Sequence, residues 1–322
     1  MPASPSSATT TQAYAIDLIT FFHPSFWGLA NEDEVVALGK AEPRPFWDRM
    51  LDAVAQSGAR GIELTFSPFG WRDTLAAYGS AAGFAEALAA RGLQLASGFF
   101  ADVAIGGDLE TAETRAAYIA EASLYAEYLG SFGVDAMVMG LPMRASWDSQ
   151  PPQIASFDTA KTIADFCNLL GAATLRHGVQ LALHTEAHSL FSLARDIDLI
   201  LLLTDPVFVG FCPDTAHILL GGANPVEVVA RHKERLIATH WKDATGPAPV
   251  RIPIDHQVHL SHRPYFCALG AGKVDWAGWQ ALLTDARFAG WNIVEIDAVP
   301  DPVAEVRRSL AFLGALPVPA NQ

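Results

Sequence analysis

The chain has 322 residues, with 21 Lys and Arg against 35 Asp and Glu, for a formal net charge of −14. Hydrophobic residues make up 51% and charged residues only 17%, which supplies a large core and excludes disorder for all but the ends. So acidic a surface repels phosphate backbones, which argues against nucleic acid and anionic membrane as partners.

The first twelve residues, MPASPSSATTTQ, carry neither a basic segment nor an apolar one, so they do not read as a secretory signal. They predict a disordered tail over 1–12, followed by one domain over 13–322. The longest wholly apolar run, 199–203, is far short of the ~20 residues that span a bilayer. Cys167, Cys212 and Cys267 are odd in number and widely spaced, a pattern that fits a reducing cytoplasm and buried thiols.

After the tail, short apolar runs alternate with stretches of helical period. Strands are predicted at 15–21, 61–66, 93–99, 135–140, 179–185, 207–211, 236–241 and 291–297. Amphipathic segments lie between them, among them 46–58, 83–92 and 114–130, each closing on a Gly placed to cap a helix. Nearly all-apolar strands separated by helices imply a parallel sheet covered on its outer face. Eight such pairs predict an α/β fold closed into a (β/α)8 TIM barrel, whose active site lies at the C-terminal strand ends.

Those ends carry the chemistry. His23 follows the first strand, Glu63 lies in the second, and the fourth ends in MGLPMR without a ligand. His184 and Glu186 follow the fifth, Asp214 and His217 the sixth, His240, Lys242 and Asp243 the seventh, and Glu295 and Asp297 close the eighth. Glu186, Asp214, His240 and Glu295 offer three carboxylates and an imidazole, a set suited to one divalent ion, Mn²⁺ first, with Mg²⁺, Co²⁺ or Zn²⁺ as alternatives. No GxGxxG or P-loop follows a strand, so no nucleotide cofactor is expected.

The segments GIELT, CPDTAHILLGG, ATHWKDA, LGAGKVDW and IVEID resemble the xylose isomerase-like barrels, which include sugar isomerases, epimerases and keto-inositol dehydratases. The resemblance implies Asp214, His240 and Glu295 as metal ligands and His217 as a substrate-binding residue. Where many relatives carry one Glu as ligand and base, this chain carries His184 with Glu186 two residues on. The two roles are therefore split, with Glu186 as ligand and His184 as base, or the reverse.

The long connection between the seventh and eighth strands holds His256, His259, His262 and Tyr265, and predicts a lid that lends a second acid. His259 and Lys242 join His184 as catalytic candidates. His23, Glu63, Trp241 and Tyr265 join His217 as substrate-binding candidates in an aromatic mouth that also draws on Phe22, Phe66, Trp147 and Phe266. The implied reaction is elimination of water or an aglycone from a keto-sugar or keto-cyclitol, with sugar isomerisation or epimerisation as the alternative. The implied partners are a small sugar or glycoside and an oligomeric assembly that can include a small second subunit. DNA-repair endonucleases share the superfamily, but the acidic charge speaks against that activity.

Overall fold

The computed structural model describes residues 14–107, 109–144, 156–255 and 257–317. The predicted tail, Trp147 and His256 lie outside the described residues. Eight parallel strands pair in the order β6-β5-β4-β3-β2-β1-β8-β7. They are β1 (Tyr14–Asp17), β2 (Gly61–Leu64), β3 (Gln94–Phe100), β4 (Ala136–Gly140), β5 (Gln180–His184), β6 (Val209–Cys212), β7 (Thr239–Trp241) and β8 (Asn292–Val294). Parallel bridges from Phe211 to Leu236 and from Asp214 to His240 join β6 to β7, leaving the barrel nearly closed. Among the described residues no helix is long and apolar enough to cross a membrane.

Each strand feeds two apolar layers. Outward residues such as Ile16, Ile62, Leu181, Leu183, Phe211 and Val294 pack under the helices. Inward residues are small, with Ala15, Ala96, Val138, Ala182, Cys212, Ala238 and Ile293 filling the barrel. This two-residue alternation decides which side chains reach the mouth.

The first strand is shorter than its apolar run. Asp17 accepts a hydrogen bond from the Ile19 amide at 2.8 Å and turns 18–21 into a 3-10 helix. Of the predicted glycine caps, Gly58 ends its helix at φ 94°. The other two helices close on Ala90 and Ser131, and the left-handed conformation falls to Gly92 and Gly133.

Candidate active site

Asp17, His184, His240 and Glu295 each stand two residues beyond an inner core residue, so the pleat that buries Ala15, Ala182, Ala238 and Ile293 turns them inward. Glu63 is in register with Asp17 and shares its face. Asp214, just past β6, caps the helix Thr215–Leu220 by accepting from the His217 amide at 2.9 Å, and its own amide donates to Thr185 Oγ1 at 2.8 Å. Gly140 ends β4 without a side chain. An added Cβ there would meet the Phe99 ring at 3.2 Å, so the absent side chain keeps that wall open.

His184, Asp214, His240 and Glu295 bring one ligand atom each within 4.8 Å of one another, all of them buried. His184 Nε2 lies 3.7 Å from Asp214 Oδ2. Both ring nitrogens of His184, Asp214 Oδ2 and His240 Nε2 make no hydrogen bond among the described residues, although His240 Nε2 is ion-paired with Glu63 Oε1 at 2.9 Å. Burying such atoms unpaired costs roughly 1–3 kcal/mol each. Grouped this closely, the unbonded donors of His184 and Asp214, with His240 and Glu295, fit a divalent cation that would satisfy them.

Charge around this set is balanced by salt bridges. Lys242 Nζ bonds Glu295 Oε1, and His240 Nδ1 lies 2.9 Å from Glu295 Oε2. Burial raises the Glu295 carboxyl, but Lys242 and His240 outweigh it and hold it well below the usual range. Burial also opposes the His240 cation, yet Glu63, Cys212 and Glu295 keep its pKa well above that of a free imidazole. His184 moves the other way, lowered by burial and by the neighbouring His240.

Glu186 sits apart from the four. The chain turns after His184, and Glu186 Oε1 faces His217 Nε2 at 3.3 Å. Because His217 Nδ1 accepts from the Ala187 amide at 3.0 Å, the neutral ring carries its proton on Nε2 and points it at Glu186. Burial pushes the Glu186 carboxyl well up, against the pull of Lys242.

A cavity of about 400 Å³ opens above these groups. Its walls include Phe22, Phe66, Phe99, Ile105 and Met143 on one side, and His184, Glu186, His217, Lys242 and Glu295 on the other. The β7–β8 connection folds over it. The segment Val258–His262 is helical and brings His259 and His262 to the cavity wall, with His259 Nδ1 3.8 Å from Glu186 Oε1. Arg263 fastens this segment to Glu32 at 2.7 Å. Asp243 anchors its base, accepting from the amides of Ala244, Gly270, Gly272 and Val274 and from the Trp276 indole at 2.9–3.2 Å.

Four predicted substrate-binding residues do not line this cavity. Trp241 is a correction: one residue past His240, it points outward, stacks on Trp276 at 5.3 Å and is fully buried beneath the helices. His23 caps the helix Pro24–Trp27 by accepting from the Ser25 amide at 3.2 Å. Tyr265 packs against the small cluster of Ala187 and Ala216. Glu63 is buried at the floor, 2.9 Å from His240 Nε2. Sequence reasoning missed Asp17, which strand alternation from Ala15 could have found. It also missed the roles of Arg263 and His188, which no local pattern announces.

A family model for the xylose isomerase-like TIM barrel matches residues 51–316. The chain belongs to that family. Within the family it is similar to the inosose dehydratase of Geobacillus kaustophilus, at 32% identity over 126 residues, covering 38% of this chain and 41% of that protein. The inosose dehydratase of Lacticaseibacillus casei is 26% identical over 224 residues, covering 65% of this chain and 71% of the relative. The chain thus spans less than half of the Geobacillus protein in that match. The crystal structure of the IolI protein with a bound zinc atom superposes with a TM-score of 0.68 and 13% identity, over 94% of this chain and 98% of that one, a likeness of fold alone.

Proposed function

We propose that this protein is a divalent-metal-dependent lyase that removes water from a keto-cyclitol of the inosose type. The observation that carries the reading is the buried group of His184, Asp214, His240 and Glu295, each offering one ligand atom within 4.8 Å of the others, with His184 and Glu295 lining the cavity. With Glu295 these residues would hold the ion. A divalent ion bound there supplies Lewis-acid polarisation of the substrate carbonyl, which makes the neighbouring C–H acidic.

The chain's own groups then move protons. Glu186, ionised and aligned by His217 Nε2–H, takes the proton α to the carbonyl. This reverses the expected division of labour, with His184 as ligand and Glu186 as base. Burial raises its pKa and so makes it a stronger base than an exposed carboxylate. His259, beside the same carboxylate, protonates the departing β-hydroxyl and regains its proton from Glu186. The C–H and C–O bonds break, a C=C bond forms, and water leaves. Lys242 holds Glu295 ionised and sits 3.9 Å from the centre of the Phe266 ring, which confines its ammonium. The two relatives named inosose dehydratase support this substrate class.

Incubation with 2-keto-myo-inositol and Mn²⁺, Co²⁺ or Zn²⁺ in turn should yield a dehydrated diketone, read by mass spectrometry as loss of one water. A panel of keto-sugars that returned only epimers or aldose–ketose pairs would instead establish the isomerase or epimerase reading.

A further inference from the structure

A histidine pair outside the reaction just described joins the connection that covers the cavity, through His262, to the loop after β5, through His188. His188 Nε2 lies 3.0 Å from the Pro249 carbonyl oxygen, which can only accept, so that nitrogen carries a proton. The neutral ring then leaves Nδ1 bare, and His262 Nε2, 2.9 Å away, donates to it. His262 in turn has a bare Nδ1. That atom is buried and has no hydrogen-bond partner among the described residues. The residue is 1% exposed yet lines the cavity. Its ring lies 6.1 Å from His217, which lies 5.9 Å from His184, so the bare nitrogen stands one side chain away from the donor set. His188 holds this arrangement at φ 64°, a left-handed conformation in which Asn, Asp and His are the most frequent residues after glycine.

We propose that His262 binds substrate by accepting, at Nδ1, a hydrogen bond from a ring hydroxyl that does not leave in the reaction, and that His188 is the positioning residue that fixes its tautomer. The hydroxylated substrate rests on the functional reading above. The tautomer does not. Both rings are kept neutral by burial, which lowers His188 and takes His262 from 6.5 to about 3. A neutral acceptor here selects a ligand that offers O–H, and disfavours one carrying hydrogen or an ether at the same ring position.

Long-range ¹H–¹⁵N correlation spectra of the full chain, labelled at histidine, test this. The ligand-free protein should show His188 and His262 both as Nε2–H tautomers. Adding 2-keto-myo-inositol should shift His262 Nδ1 alone within the pair. His188→Gly suits its left-handed backbone and so should fold, but it should release His262 into a mixture of tautomers and raise KM about tenfold with kcat little changed. Added imidazole should restore both. His262 found with its proton on Nδ1 overturns the proposal. So does ligand turnover with Nδ1 unmoved, or a shift produced by Zn²⁺ alone with two ions bound per chain, which would make the atom a metal ligand. A protein that neither binds nor converts the cyclitol defeats the functional reading, and the hydroxyl contact falls with it.

Discussion

The two halves of the barrel mouth are built differently. From β1 to β4 the cavity wall includes Phe22, Phe66, Phe99, Ile105 and Met143, and β4 ends in a bare glycine. From β5 to β8 it presents His184, Glu186, His217, Lys242 and Glu295, joined from above by His259 and His262. Asp17, Glu32 and Thr65 are polar residues of the first side, and Glu63 is buried beneath it. Every group assigned a proton or an ion thus sits on one arc, while the opposite arc offers shape and apolar surface. Reaction and recognition can therefore vary separately on this barrel.

The sharpest break of that division is Asp214→Asn. Asparagine keeps the helix cap, so the fold should survive. Elemental analysis should find the ion lost, and turnover should fall by on the order of 10⁴ as several kcal/mol of charge stabilisation disappear. Next comes Glu186→Gln, which should keep the ion but slow exchange of the α-proton with deuterated water by roughly 10²–10³. If His184→Gln gives that phenotype and Glu186→Gln loses the ion, the roles on the fifth strand revert.

On the apolar arc the effect should be smaller and of another kind. Phe66→Ala should raise KM about fivefold, near 1 kcal/mol of lost contact, for substrates bearing an apolar substituent, with kcat unchanged. An equal fall in kcat would place that wall in the chemistry.

The smallest effect concerns stability. His262 titrates near 6.5 when unfolded and near 3 when folded, so below about 6.5 the unfolded chain binds the extra proton. Stability should fall as pH drops through that window, by about 1.4 kcal/mol per pH unit at most. Urea unfolding at pH 7 and pH 5 should show a smaller difference for His262→Leu than for the native chain.

Much of this arrangement is legible without coordinates, because the signals are local. All eight strands announce themselves as apolar runs, and their ends name Asp214, His240 and Glu295 as neighbours. The errors arise where a single residue decides direction. Trp241 follows His240 in sequence but faces the helices, as strand alternation requires. His184 and Glu186 share a parity only while the strand continues, and the chain turns between them. His188 is beyond sequence reasoning altogether: its partner lies 74 residues away, and its backbone conformation is set by tertiary contacts.

The Asp243 carboxylate has a wider consequence. It gathers the amides of Ala244, Gly270, Gly272 and Val274 into one buried knot, and a Cβ at Gly272 would fall 2.1 Å from its Oδ1. Both roots of the covering segment are therefore tied to the barrel by the same side chain, immediately beside the strand that carries His240. What lies between the roots can be lengthened, shortened or exchanged without disturbing the floor. Such a joint makes the cover a separable unit, and because it carries His259 and His262, exchanging it would change an acid and a contact while the buried group of the barrel stayed in place.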